Sequence, residues 1–133
     1  MIWFVDGNNV MGAGARGWWN DREGAAVRLT QRLGEWARTR AGEEIVVVFD
    51  GSPAPAVAAL GGGNLTVTFA TRSGRDAADD RIVELAAERY ADPDGVPAIT
   101  VVTSDRGLRE RLPPGVATIG AGDFLRRLDF DTG

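Results

Sequence analysis

Three apolar runs of this chain end in a carboxylate, and the three carboxylates are Asp6, Asp50 and Asp105. Continuous apolar runs of four or five residues, without alternation, are typical of strands buried on both faces of a sheet. The carboxyl ends of parallel strands meet at one edge, which is where open α/β sheets bind their ligands. We therefore expect these three side chains to lie at a common edge.

A fourth acidic group opens a predicted helix and contains Asp76, Asp79 and Asp80. Asp79 lies three and four residues before Ile82 and Val83, so it falls at the end of the apolar stripe and faces inward. Asp76 is a typical helix N-cap, since acids in the first turn complement the helix dipole. Asp79 is thus the preferred candidate in this group, followed by Asp80 and then Asp76.

Carboxylates that converge repel one another, and a cation would compensate their charge. The chain contains no histidine and no cysteine, so a metal would be held by oxygen ligands, which favours Mg²⁺ or Mn²⁺ over zinc. One or two such ions hydrolyse phosphodiesters by activating water and stabilising the leaving oxygen. A simpler reading of Asp6 is a turn cap, because Asp-Gly and Asn-Asn are turn formers.

The amino-acid composition excludes several classes of function. A chain of 133 residues is expected to form one domain, over residues 1–130, and its net charge of −4 argues against nucleic-acid binding by bulk positive charge. All basic residues are arginine, which excludes a Walker-type phosphate lysine and a Schiff-base lysine. No stretch is typical of a signal peptide or a membrane span, so we expect a cytoplasmic protein without a membrane partner.

Strands alternate with helices in units of about thirty residues, which predicts an α/β fold with helices on both faces of a mostly parallel sheet. A glycine-rich loop is expected after the first strand, over residues 10–19, and the first helix is expected to be capped by Asn20 or Asp21. The other predicted strands cover residues 45–49, 65–70 (an edge strand), 98–102 and 116–119. The other predicted helices cover residues 56–60, 76–90, 106–112 and 121–128.

Four motifs in this order resemble those of the NYN-domain ribonucleases of the PIN-like nuclease superfamily, and in particular the YacP-like branch. The motifs are Asp6-Gly7-Asn8-Asn9, Phe49-Asp50-Gly51, Ala78-Asp79-Asp80-Arg81-Ile82-Val83 and Val102-Thr103-Ser104-Asp105. The resemblance covers nearly the whole chain. It implies a three-layer α/β/α sandwich, a cluster of aspartates that binds Mg²⁺ or Mn²⁺, and metal-dependent endonucleolytic cleavage of RNA.

Carried over by position, the resemblance implies that the metal ligands are Asp6, Asp79, Asp80 and Asp105. It also implies that Asn9 supports Asp6 and that Ser104 orients Asp105. Asp50 occupies a position that is acidic in this branch. Some relatives carry a further acid where this chain has Arg109, so Asp50 or Asp80 would supply the fourth ligand.

Basic and aromatic residues near the same edge are candidates for RNA contact. The candidates for phosphate binding are Arg16, Arg22, Arg72, Arg75 and Arg106, and solvated surface arginines are the alternative. Trp18 and Trp19 could stack on unpaired bases, while one of them could instead anchor the loop to the core.

Two other functions and the oligomeric state stay open. One alternative function is a PIN-type toxin ribonuclease with a narrow RNA target, and another is a non-catalytic RNA-binding regulatory module on the same fold. A homodimer is open as well, because Phe124, Leu125 and Leu128 of the closing helix suit either a core or an interface.

Overall fold

The computed structural model describes residues 1–14, 17–70, 77–90 and 98–132. Within these residues the chain forms five strands, which are β1 (Ile2–Asp6), β2 (Glu44–Asp50), β3 (Leu65–Ala70), β4 (Ile99–Val102) and β5 (Ala117–Ile119). The α-helices of the same residues are α1 (Gly7–Gly14), α2 (Arg22–Arg38), α3 (Pro55–Ala58), α4 (Ala77–Tyr90), α5 (Arg106–Glu110) and α6 (Ala121–Thr132). A short 3₁₀ turn covers Trp18–Asn20.

The strands form one sheet in the order β3-β2-β1-β4-β5, and every neighbouring pair is parallel. β1 is therefore the central strand, and β3 lies at an edge, as predicted. Because all pairs are parallel, the residues that follow the five strands lie at one edge of the sheet. The predicted α/β fold is confirmed, with a sheet that is parallel throughout.

Side chains of β1 enter two separate hydrophobic cores, one on each face of the sheet. Trp3 and Val5 join the core that α1, α2 and α6 cover, whereas Ile2 and Phe4 join the core that α4 and α5 cover. This explains why the sequence of β1 is apolar without alternation. The arrangement gives three layers, with helices on both faces of the sheet.

The closing helix α6 belongs to the first of these cores. Phe124 and Leu128 are fully buried, and the Phe124 ring meets the Trp36 ring edge to face at a centroid distance of 5.3 Å. The indole N–H of Trp36 donates to the Asp131 carboxylate at 2.8 Å. The apolar face of α6 is thus core, and α6 extends to Thr132, four residues beyond its predicted end.

The prediction of a glycine-rich loop over residues 10–19 was wrong for residues 10–14, because residues 7–14 form the helix α1. Val10 and Met11 are buried in the core, and this packing outweighs the low helix propensity of the glycines. The following helix does begin after Asp21, whose carboxylate accepts the backbone N–H of Gly24 at 3.0 Å. Helices α3 and α5 are shorter than predicted, and each ends two residues earlier.

No helix in the described ranges combines the length and the apolar character that a bilayer span requires.

Gly7 is the point where α1 passes closest to the sheet. A Cβ atom at this position would lie 2.5 Å from two carbons of the Phe49 ring and 3.0 Å from the Val48 carbonyl oxygen. We expect Gly7→Ala to lower the free energy of unfolding by about 1–3 kcal/mol, because a ring and a backbone group would have to move. Urea denaturation measures this change.

The matched control is Gly34→Ala in the interior of α2, where a Cβ atom would meet only one Leu65 methyl carbon, at 3.9 Å. This variant should be unchanged or more stable by up to about 1 kcal/mol, since alanine is the better helix former. A Gly7→Ala protein as stable as Gly34→Ala would show that the close approach of α1 to β2 is not as described.

Candidate active site

Asp6 ends the central strand, and its carboxylate is almost fully enclosed, with 4% of the residue exposed. The hydroxyl of Thr103 donates a hydrogen bond of 3.0 Å to its Oδ2 atom. The backbone N–H of Asn9, in the first turn of α1, also donates to this carboxylate. Asp6 therefore does cap the turn after β1, as its simpler reading proposed, and it is buried at the sheet edge at the same time.

Burial raises the pKa of Asp6 from its ordinary 3.8 to about 7, because the charged carboxylate loses its hydration. The hydrogen bonds from Thr103 and Asn9 oppose this rise, whereas the negative charges of Asp79 and Asp50 add to it. Without a compensating cation, a large fraction of Asp6 is protonated near neutral pH. A cation placed between these carboxylates would favour the charged form.

Two adjacent asparagines of α1 hold the loops on either side of β1. The side-chain carbonyl of Asn8 accepts the backbone N–H of Asp50, the last residue of β2, at 2.9 Å. The side-chain carbonyl of Asn9 accepts the backbone N–H of Ser104 at 2.8 Å, after β4. The Asn-Asn pair thus fixes the two neighbouring strand ends relative to Asp6.

Thr103 connects Asp6 to Asp105 and was not identified from the sequence. Its buried hydroxyl donates to Asp6 and accepts the backbone N–H of Asp105 at 3.1 Å. The Arg109 side chain donates to the Thr103 carbonyl oxygen at 3.0 Å, which holds this residue from the α5 side. One sequence feature could have identified Thr103: it is a hydroxyl residue that directly follows a buried strand and stands two positions before an aspartate.

Asp105 and Ser104 cap helices at this edge. Oδ1 of Asp105 accepts the backbone N–H of Leu108 at 3.1 Å, in the first turn of α5. The hydroxyl of Ser104 accepts the backbone N–H of Ala121 at 2.9 Å, where α6 begins. The expected effect of Ser104 on the orientation of Asp105 stays a prediction.

The other acidic candidates lie in the first turn of α4 or contact it. Oδ1 of Asp50 accepts the backbone N–H of Ala78 at 2.9 Å, so the end of β2 supports the start of α4. Asp79 is the next residue after Ala78 in α4, and its negative charge is close enough to raise the pKa of Asp6. Asp80 is partly exposed, and its Oδ1 lies 2.8 Å from a guanidinium nitrogen of Arg111. The negative charge of Asp80 is thus balanced by an arginine.

The described residues contain no group of three or more His, Cys, Asp or Glu side chains placed closely enough to hold a metal ion. Asp6, Asp79 and Asp50 do interact electrostatically, and Thr103 links Asp6 to Asp105. The donor set consists of carboxylate, hydroxyl and amide oxygens, and it fits a hard divalent cation in its chemistry. Side-chain movements would be needed to bring three carboxylates onto one ion.

The predicted RNA contacts lie partly within the described residues. Arg106 is exposed at the start of α5, and the guanidinium of Arg22 lies 5.3 Å from the centre of the Trp18 ring. Trp18 packs against the core, whereas 62% of Trp19 is exposed. Arg16, Arg72, Arg75 and Asp76 lie outside the described residues.

Comparison with known proteins gives a family and a structural match. The family model for the YacP-like NYN domain matches residues 3–127. The crystal structure of Rae1 (YacP) from Bacillus subtilis is 26% identical, with a TM-score of 0.67, and the match covers 98% of this chain and 75% of that one. A tryptophan-to-leucine mutant of the same protein is also 26% identical, with a TM-score of 0.69, and the match covers 98% of this chain and 76% of that one. A search of curated proteins finds no match.

Asp6→Asn should change how stability depends on pH. The raised pKa means that the folded chain binds the Asp6 proton more tightly than the unfolded chain does. This contribution to stability is complete below pH 3.8 and is lost as the pH rises through about 7. Because asparagine does not titrate, the variant should gain stability relative to the wild type across this window, by up to about 4 kcal/mol.

Urea denaturation between pH 4 and pH 8, without divalent metal, measures this difference. Asp129→Asn is the control, since it replaces an exposed carboxylate that pairs with Arg32 on the α6 side. If Asp6→Asn and the wild type differ in stability by the same amount at pH 4 and at pH 8, Asp6 does not have the raised pKa of a buried carboxyl group.

Proposed function

The chain belongs to the YacP-like NYN domain family, and from this premise we propose that it is a metal-dependent endoribonuclease. The family predicted from the four sequence motifs is confirmed, and the fold is the one found in this ribonuclease family. RNA is the proposed substrate, and Mg²⁺ or Mn²⁺ is the proposed cofactor.

The observation that carries the proposal is the environment of Asp6. Its carboxylate is buried at the carboxyl edge of a parallel sheet, beside two other carboxylates that raise its pKa. Such an arrangement is unfavourable by itself, and perturbed carboxylates of this kind are typical of functional sites. A divalent cation would remove the cost and make the charged form of Asp6 the stable one.

Asp6, Asp79 and Asp105 would hold the cation, and Asp50 or Asp80 would supply a further ligand. When bound, the cation would neutralise charge on the phosphate and lower the pKa of a water molecule. Thr103 keeps one oxygen of Asp6 in place and holds the backbone of Asp105.

Several side chains would position the RNA relative to these acids. Asn9 holds the Ser104 backbone, so the loop that carries Asp105 is fixed before substrate binds. Arg106 and Arg22 are exposed and could bind phosphate oxygens of the RNA. Trp19 offers an exposed ring on which an unpaired base could stack.

A second candidate function is a non-catalytic RNA-binding module on the same fold. It is favoured by one observation, namely that no three carboxylates within the described ranges are gathered for a metal. The family match supports the NYN branch over a PIN-type toxin.

Replacing a proposed ligand tests the nuclease directly. We expect Asp6→Asn and Asp105→Asn each to reduce cleavage of a labelled single-stranded RNA by at least about 100-fold, because a metal-site interaction contributes several kcal/mol to the transition state. Cleavage is measured during titration with Mn²⁺ and with Mg²⁺. Asp129→Asn serves as the control and should cleave like the wild type.

Undiminished cleavage by both variants would refute the assignment of the ligands. A wild-type protein that binds RNA but neither binds Mn²⁺ nor cleaves would favour the non-catalytic module instead.

A further inference from the structure

A cavity of about 150 Å³ lies next to the acidic edge, between α1, α2 and the ends of β2 and β3. Its apolar wall includes the rings of Phe49 and Phe69, whose centres are 6.0 Å apart. Its polar rim consists of Asn8, Arg22, Glu23, Asp50 and Ser52. We call this space the Phe69 cavity.

The size of the Phe69 cavity suits one aromatic ring. An apolar protein cavity of about the same volume, roughly 150 Å³, binds benzene. Arg22, Glu23 and Ser52 at the rim are exposed, so the cavity can be reached from solvent. A flat heterocycle could enter while the sugar and phosphate attached to it stay outside.

The chemistry of the cavity wall suits a nucleobase better than a purely apolar ligand. Phe69 is only half-buried on the edge strand, so its ring offers a stacking surface. The Glu23 carboxylate is an acceptor for the polar edge of a base, and the Ser52 hydroxyl is both a donor and an acceptor. Unpaired RNA bases are recognised by this combination of aromatic stacking and hydrogen bonding at the base edge.

The cavity is continuous with the proposed active site. Asn8 and Asp50 belong to its polar rim, and the Asn8 side-chain carbonyl accepts the Asp50 backbone N–H at 2.9 Å. Asn8 lies two residues after Asp6, and Asp50 supports the helix that carries Asp79. A base held in the cavity would therefore place its own phosphate near the acidic edge.

We propose that the Phe69 cavity binds one unpaired nucleobase of the RNA strand, from a nucleotide adjacent to the phosphate that is cleaved. This proposal rests on the proposed ribonuclease function and adds the site that selects the cleavage position. It requires single-stranded or locally unpaired RNA, because a paired base cannot leave its helix to fill the cavity without a cost.

The first test uses substrates rather than variants. The cleavage position of a labelled single-stranded RNA is mapped, and the base is then removed from one nucleotide at a time on either side of that position. Loss of the base at one flanking nucleotide should slow cleavage there by about tenfold, as expected for the loss of one stacked base. If every abasic substrate is cut as fast as the intact one, the proposal is wrong.

The second test fills the cavity from the protein side. Ala54 lines the cavity and is half-buried, so Ala54→Phe would occupy the space of the base. The matched control is Ala56→Phe, which adds the same ring at an exposed position of α3. The Ala54→Phe variant should cleave intact RNA as slowly as the wild type cleaves abasic RNA. Its cleavage rate should not change further when the base is removed from the substrate. The Ala56→Phe variant should behave like the wild type.

A binding measurement separates this proposal from the ribonuclease assignment. Fluorescence anisotropy with the Asp6→Asn protein compares the affinities of intact and abasic RNA, and it needs no cleavage. If the wild type cuts no RNA, the proposed function fails, while an affinity that falls on base removal and in Ala54→Phe would still support a base site. If intact and abasic RNA bind with equal affinity, and Ala54→Phe does not change either affinity, the cavity does not bind a base.

Discussion

The buried carboxylate of Asp6 is the constraint on which the rest of this edge depends. The Asp6 carboxylate ends the central strand with only 4% of the residue exposed, and burying a charged group is unfavourable unless the charge is compensated. The first turn of α1 and the Thr103 hydroxyl each donate a hydrogen bond to it. These two bonds do not offset the burial, so the pKa of Asp6 stays raised and the carboxyl group tends to keep its proton.

The same constraint explains why α1 follows β1 without a loop. A helix that begins directly after Asp6 presents a backbone N–H to the carboxylate and places two asparagines at the sheet edge. Asn8 and Asn9 then bind the backbones of the neighbouring strand ends through Asp50 and Ser104. A single turn of helix thus holds the ends of three strands, through the Asn9 backbone N–H at Asp6 and through the Asn8 and Asn9 side chains at Asp50 and Ser104.

The strands β1, β2 and β4 were predictable from short runs of mainly apolar residues, and the edge strand β3 was predictable from the alternation of apolar and polar residues. The alternation of strands with helices along the chain implied a parallel sheet. The helix α1 was not predictable from its glycines, because the burial of Val10 and Met11 that stabilises it depends on distant residues. The location of Asp6, Asp50 and Asp105 at one edge of the sheet followed from the strand ends alone. The hydrogen-bond partners of the acidic residues did not, since Arg111 meets Asp80 and the Asn8 side chain meets the Asp50 backbone only once the chain has folded.

We propose that the buried carboxyl group of Asp6 binds a proton in the absence of metal and that a divalent cation would convert it to its charged form. The most direct measurement is the pKa of Asp6 itself, obtained from the carboxyl ¹³C chemical shift in pH titrations with and without Mg²⁺. We expect a pKa of about 7 without the metal and a clear decrease when it is present. A pKa close to 3.8 without the metal would contradict the burial of Asp6, and a pKa that Mg²⁺ leaves unchanged would contradict metal binding by Asp6.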